Sequence, residues 1–269
     1  MTSAMAATSG ARPLARGDVL VGVRGVSKIY DGGVEALREV DIEFPRGQLT
    51  TLLGPSGCGK TTLLKIIAGL IEPSGGHILI DGRPVRGPGP ERAFVFQDFA
   101  LMPWATVLRN VAFGLELRGV PKAEREATAR RCIAEVRLGG FEDSYPHQLS
   151  GGMRQRVGLA RALAVDADIL LMDEPFASVD EQTRRKFQED LLALLGIEKK
   201  TVIFVTHSIE EAVYVSDQIV LLSERPGRVS KIVRPELDRS GDFERIRRER
   251  GYLDCVEEIW NVLKRYLED

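Results

Sequence analysis

Gly54-Pro55-Ser56-Gly57-Cys58-Gly59-Lys60-Thr61 follows the pattern G-x-x-x-x-G-K-[ST], and its flanks supply the context that this pattern requires. Leu49-Thr50-Thr51-Leu52-Leu53 precedes it as a short β-rich run, and Thr62-Leu63-Leu64-Lys65-Ile66-Ile67-Ala68 follows with helical spacing. Strand, glycine loop and helix in that order make a phosphate cradle. The glycines let successive backbone N–H groups turn inward around phosphate oxygens, and the helix start adds the positive end of its dipole. In such a cradle Lys60 reaches the β- and γ-phosphates of a nucleotide, and the Thr61 hydroxyl ligates Mg²⁺. The bland alternative, a glycine-rich turn, is disfavoured by the flanking elements.

Three further apolar runs each stop at a polar residue, as the strands of a parallel sheet do where their ends meet a ligand. Ile169-Leu170-Leu171-Met172 ends in Asp173-Glu174. Asp173 offers a carboxylate to the Mg²⁺ shell, and Glu174 one that orients and deprotonates an attacking water. Val202-Ile203-Phe204-Val205-Thr206 ends in His207, and Ala93-Phe94-Val95-Phe96 ends in Gln97. Either side chain could touch a γ-phosphate or the metal. A lone His or Gln at a strand end is ordinarily a cap; their placement beside the cradle favours chemistry.

Of the 269 residues 43% are hydrophobic, enough for one large α/β core with subdomains. No uninterrupted apolar stretch of about 20 residues occurs, so the chain is not expected to span a bilayer by itself. Thirty-seven Lys and Arg against 39 Asp and Glu leave a formal charge of −2, which gives no hint of a nucleic-acid surface. Cys58, Cys132 and Cys255 are odd in number and far apart. They suit a reducing compartment, with neither a disulfide framework nor a zinc site, and Cys58 reads as a small filler in the loop.

Residues 1–17 are rich in Ala, Ser and Gly without an apolar core segment, so they are expected to be disordered and neither a signal peptide nor an anchor. Alternating Val19, Val21 and Val23, then Val34, Leu37, Val40, Ile42 and Phe44, predict antiparallel strands around an Asp31-Gly32-Gly33 turn, with Tyr30 at the tip. Pro121-Lys122-Ala123-Glu124-Arg125 opens an amphipathic helix expected to continue through Val136 and Leu138. Leu101-Met102-Pro103-Trp104 is either a partner-docking patch or the core of that helical region. Near the C-terminus, Leu253, Val256, Trp260, Leu263 and Leu267 fall on one helical face, for docking onto the chain's own body or for a regulatory or oligomer contact; Glu244 to Arg250 reads as a solvated helix face.

Leu149-Ser150-Gly151-Gly152-Met153-Arg154-Gln155-Arg156, taken with the order and spacing of Lys60 and Asp173-Glu174, resembles the nucleotide-binding subunits of ABC transporters over about residues 18 to 228. The resemblance implies an α/β fold, a P-loop NTPase ABC cassette with a RecA-like core, an antiparallel β subdomain and an α-helical subdomain inserted at about 99–160. A C-terminal helical extension would occupy 229–269. It makes Tyr30 the aromatic that stacks on adenine, Gly54 to Thr62 the P-loop (Gly54, Pro55, Ser56, Gly57, Cys58, Gly59, Lys60, Thr61 and Thr62), and Gln97 a catalytic and metal-facing glutamine. Ser150, Gly151 and Gly152 become the signature, Asp173 and Glu174 the Walker B pair, Asp180 the D-loop aspartate and His207 the switch histidine. Met153 stands where the commonest signature has glutamine, and Ala177-Ser178-Val179-Asp180 replaces the commoner Ser-Ala-Leu-Asp. Neither departure removes a catalytic group, and the anion-facing parts of the signature at a helix start are intact.

What the resemblance implies functionally is ATP hydrolysis with Mg²⁺ by a homodimer that buries two ATP molecules between chains. The dimer would be coupled to two copies of a separate permease, and indirectly to a solute-binding protein, at the cytoplasmic side of the inner membrane. Val95 to Val107 and Leu221 to Arg228 look like the ATPases of bacterial importers for nitrate, sulfonates, taurine and related small solutes. A repair or chromosome-maintenance ATPase would carry a long coiled-coil insertion that is absent here, and a translation-factor ATPase would join two cassettes. A subunit of a cell-division or lipoprotein-release complex is the alternative that only the partner decides.

Overall fold

A computed structural model of the chain describes residues 18–176, 181–239 and 243–266. The expected disorder of residues 1–17, the aspartate at position 180 and Leu267 therefore lie outside the described residues. The first half of the chain forms β1 (Val19–Tyr30), β2 (Val34–Pro45), β3 (Leu49–Leu53), α1 (Lys60–Ile67), β4 (Gly75–Ile80), β5 (Arg83–Pro84), β6 (Arg92–Val95), α2 (Val107–Leu117) and α3 (Lys122–Glu135). The second half forms α4 (Gly151–Ala164), β7 (Ile169–Asp173), α5 (Glu181–Glu198), β8 (Thr201–Val205), α6 (Ile209–Val215), β9 (Gln218–Leu222), β10 (Val229–Val233), α7 (Phe243–Ile246) and α8 (Arg250–Leu263).

Six strands form one sheet in the order β10-β9-β3-β8-β7-β6, parallel except for β10, which pairs antiparallel with β9 at the edge. Every residue of β3, β7, β8 and β9 is buried, as expected where both faces of a parallel sheet are covered. Alternation along these strands divides the interior in two. Leu53, Leu170, Met172, Phe204 and Leu221 enter a core shared with α2, α3, α4, α6 and α8. Leu52, Ile169, Leu171, Ile203 and Val220 enter a second core beneath α1 and the four-stranded antiparallel sheet β2-β1-β4-β5. Each such aliphatic side chain contributes about 1.5–3 kcal/mol on burial. Because the central strands run the same way, the segments after β3, β6, β7 and β8 emerge along one edge.

Tyr30 pairs with Val34 across the Asp31-Gly32-Gly33 turn, as the alternation of valines predicted. Two helical expectations are corrected. The helix after Pro121 stops at Glu135, because Arg137 takes a φ of 57° and turns the chain. Val136 and Leu138 are buried from that turn, not from a helical face. The last helix docks on the chain's own body as expected, with Val256 and Leu263 against the first core, but the buried stripe of α8 is Tyr252, Cys255 and Ile259, packed toward α6 and β10, while Leu253 and Trp260 are 53% and 50% exposed. Two apolar stripes lie about 100° apart on this helix. Contact with α6 selects the one carrying Tyr252, whose hydroxyl donates to the Glu210 carbonyl at 3.4 Å.

The segment between β6 and α2 is divided in the same way. Leu101 packs on the first core, whereas Trp104 stands 74% exposed. Asn110 of α2, fully buried, fixes this segment: its Oδ1 accepts from Met102 N at 2.8 Å, and its Nδ2 donates to the carbonyls of Met102, Ala105 and Thr106 at 3.2, 3.0 and 3.0 Å. Asn110→Leu keeps the volume but leaves the Met102 amide and these carbonyls without that partner. We expect a loss of about 2–3 kcal/mol in urea unfolding; a change below about 0.5 kcal/mol would show that the bonds contribute nothing net.

Candidate functional site

Gly54 leaves β3 with no room for a side chain, since a Cβ there would stand 2.8 Å from the Leu222 carbonyl oxygen. Gly59, the residue before α1, has φ 99° and would place a Cβ 2.7 Å from Leu37. No side chain caps α1, so its first N–H groups point into the loop, the arrangement that binds an anion. Lys60 is 7% exposed, and its Nζ donates to the carbonyls of Gly54 and Pro55, both at 2.8 Å. The cation thus sits inside the ring of backbone it would share with phosphate oxygens. Ser56 and Gly57 form the exposed crest of the loop. Cys58 is fully buried, and burial pushes its thiol above the ordinary range despite the nearby Lys60 charge, so it fills space as an uncharged group.

At the end of β7, Asp173 lies opposite this loop. The Thr61 hydroxyl donates to Asp173 Oδ1 at 2.8 Å. Burial raises the Asp173 carboxyl above its usual range, opposed by the Thr61 hydrogen bond and reinforced by the charge of Glu174. Glu174 follows with φ 45°, its N–H held by the Val205 carbonyl at 3.0 Å, and its Oε2 lies 3.3 Å from His207 Nδ1. His207 presents 65% of its side chain to solvent and Glu174 only 24%. Tyr30, at the tip of the β1–β2 hairpin, places its hydroxyl 3.1 Å from Thr62 Oγ1, the second residue of α1 after Lys60. Gln97 is exposed in the turn that follows β6, the strand paired with β7.

One chain thus brings together the loop, Thr61, Thr62, Asp173, Glu174, His207 and Tyr30, with Gln97 at the same sheet edge. Ser150, Gly151 and Gly152 stand apart from that cluster. Ser150 caps α4, its Oγ accepting from Met153 N at 3.2 Å, and Gly151 and Gly152 open the helix, which packs on α2, α3 and β6. Asp180 lies outside the described residues.

Sequence reasoning missed the support beneath His207. Thr206, 3% exposed, donates to Glu211 Oε2 at 2.6 Å and accepts from Ser208 N at 3.1 Å. Ser208 in turn caps α6. The Ser-x-x-Glu signature of a helix start was visible in Ser208 to Glu211, yet the Glu211 carboxylate serves Thr206 rather than the cap.

The donors for a divalent cation are hard oxygens: the Asp173 carboxylate and the Thr61 hydroxyl, with the Gln97 amide oxygen at the edge. Mg²⁺ is ordinarily held by one or two carboxylates together with phosphates and water, so this sparse set fits it beside a bound nucleotide. No group of three or more His, Cys, Asp or Glu side chains suited to an all-protein metal cage occurs among the described residues.

The ABC transporter family model matches residues 37–177. An uncharacterized ABC transporter ATP-binding protein of Methanocaldococcus jannaschii is 52% identical over 245 residues, covering 90% of each chain. The taurine import ATP-binding protein of Pseudomonas entomophila is 52% identical over 220 residues, 81% of this chain and 84% of that one. Among solved structures, a dimeric bacterial ABC transporter cassette superposes with a TM-score of 0.73 at 32% identity, over 80% of this chain and 98% of that one. A dimeric cassette in a post-hydrolysis state, bound to ADP and phosphate, gives a TM-score of 0.72 at 33% identity with the same coverage.

Proposed function

Since the chain belongs to the ABC transporter family and is an ATPase, we propose that it energises an importer of taurine, another sulfonate, nitrate or a related small solute. The observation that carries this reading is the 52% identity to a taurine import ATP-binding protein over 81% of the chain.

In the proposed mechanism the loop amides and Lys60 take the β- and γ-phosphates, Lys60 exchanging its contacts with the Gly54 and Pro55 carbonyls for phosphate oxygens. Tyr30 stacks on adenine. Thr61, Asp173 and Gln97 would hold Mg²⁺, which when bound would neutralise charge on the phosphates. Glu174 takes a proton from the attacking water as its oxygen bonds to the γ-phosphorus and ADP departs. His207, 3.3 Å from Glu174, orients that carboxylate and reaches the γ-phosphate. Ser150, Gly151, Gly152 and Asp180 of a second copy complete each site, which explains why Ser150 stands apart from the loop within one chain. ATP bridging two copies has affinity for the closed dimer that ADP lacks, and that difference drives opening and closing.

Among the described residues no helix is long and apolar enough to cross a membrane. The proposal places the dimer peripherally on the cytoplasmic side of the membrane, docked to two copies of a separate permease that a solute-binding protein loads. Trp104, exposed on a segment anchored by Asn110, supports the docking use of Leu101 to Trp104. The test is mild-detergent purification of the tagged chain from its native cells, identification of the co-purifying membrane protein, and ATPase assay with loaded receptors. A multi-span permease with hydrolysis stimulated by a taurine, sulfonate or nitrate receptor is expected. A division or lipoprotein-release protein as the sole membrane partner, or hydrolysis indifferent to every loaded receptor, overturns the importer and leaves the ATPase.

A further inference from the structure

Phe99 and Ala100, two residues past Gln97 and onward, take φ values of 63° and 43°. Consecutive left-handed conformations are costly for residues with a Cβ and persist only where the surroundings enforce them. The enforcing group is on α4, the helix that begins at Ser150. Arg161 donates through Nη2 to the Phe99 carbonyl at 2.6 Å and through Nη1 to the Ala100 carbonyl at 2.7 Å. The left-handed pair turns both carbonyls toward one guanidinium, a forked contact that a planar cation satisfies and an ammonium does not. No carboxylate pairs with Arg161 among the described residues, and burial pulls its guanidinium below the ordinary arginine range. A partly desolvated cation with only carbonyl partners is an expensive way to hold a surface turn. Phe99 itself is 6% exposed, and its Cβ lies 3.7 Å from where a Cβ on Gly158 of the same helix would stand.

We propose that Arg161 is a positioning residue for ATP hydrolysis, holding the strained Phe99–Ala100 turn in the conformation that presents Gln97. The strap ties the turn that follows Gln97 to α4. Asn110 secures the other end of the segment between β6 and α2 to α2, and α2 packs on α4. The inference rests on the proposed role of Gln97.

The test measures steady-state hydrolysis and thermal midpoint for Arg161→Met, Arg161→Lys, Ala100→Gly, Gln97→Ala and the Arg161→Met/Ala100→Gly pair in the full chain. Arg161→Met is expected to lower kcat about tenfold with KM for ATP within about twofold. Arg161→Lys, reaching one carbonyl, should fall between it and the parent. Ala100→Gly alone should be silent, because glycine adopts this φ at no steric cost. Joined to Arg161→Met it should restore part of kcat, since glycine takes the left-handed conformation at position 100 without the strap. A merely structural arginine would lower the thermal midpoint and kcat together, and glycine at position 100 would restore neither. Unchanged kcat in Arg161→Met, or a loss that Ala100→Gly does not mend, overturns the proposal; if Arg161→Met fails to fold, Arg161→Lys with and without Ala100→Gly decides it in the same way. Gln97→Ala reports separately: if it hydrolyses ATP normally, the role of Gln97 falls whatever Arg161 does.

Discussion

Glu174→Gln is expected to bind ATP as the parent does and to hydrolyse it at least ~10²-fold more slowly, the scale on which a positioned general base contributes. The amide has the shape of the carboxylate and keeps an oxygen for His207, but it cannot accept a proton from water. Its effect on the rest of the site should be small, because the Thr61–Asp173 bond and the backbone bond from Glu174 N to the Val205 carbonyl do not involve the changed atoms. Single-turnover phosphate release beside a nucleotide-binding titration separates the two quantities. Near-normal hydrolysis would remove Glu174 from the role of base, and a loss of binding would place it among the groups that hold the nucleotide.

Lys60→Ala should abolish nucleotide binding or weaken it by at least ~10²-fold, about 2.7 kcal/mol, which lies within the range for a charge-assisted hydrogen bond in a buried setting. The lysine is 7% exposed and among the described residues bonds to the loop carbonyls of Gly54 and Pro55, with a longer contact to Cys58 Sγ at 3.8 Å. None of these contacts joins two layers of the fold, so the circular dichroism spectrum should stay that of the parent. Tight Mg-ATP binding by a folded Lys60→Ala chain would contradict the assignment of the cradle.

Much of the site was legible because parallel strands advertise themselves. Leu49 to Leu53 is a short β-rich run, Ile169 to Met172 and Val202 to Val205 are short uninterrupted apolar runs, and such runs in a doubly covered sheet end where ligands bind. Glycines at positions that exclude a Cβ, as Gly54 and Gly59 do, mark the loop between them. The ABC resemblance added Ser150 to Gly152, which no contact among the described residues ties to Lys60. Less legible were matters decided by tertiary contact. The face of α8 was read only in part: Val256 and Leu263 pack on the core, but Leu253 and Trp260 continue an apolar period that α6 does not use. The stop of α3 depends on the backbone of Arg137, whose side chain carries no turn signal. The strap from Arg161 joins residues about sixty apart in sequence, and nothing in local pattern couples an arginine on one helix to two carbonyls on a distant turn. The Thr206–Glu211 pair was hidden because a capping signature offered its glutamate a nearer use.

In the proposed dimer ATP is held between Lys60 of one copy and Ser150 of another. Gel filtration with light scattering on Glu174→Gln, with and without Ser150→Arg, tests it most directly. With saturating Mg-ATP the Glu174→Gln chain should run at twice the chain mass, and it should return to the monomer mass when ATP is replaced by ADP. Adding Ser150→Arg should leave ATP bound at Lys60 yet keep the chain monomeric, because the signature is blocked on the surface that meets the second copy. An ATP-dependent dimer that forms equally well with Ser150→Arg, or a Glu174→Gln chain that stays monomeric with ATP fully bound, would contradict the account.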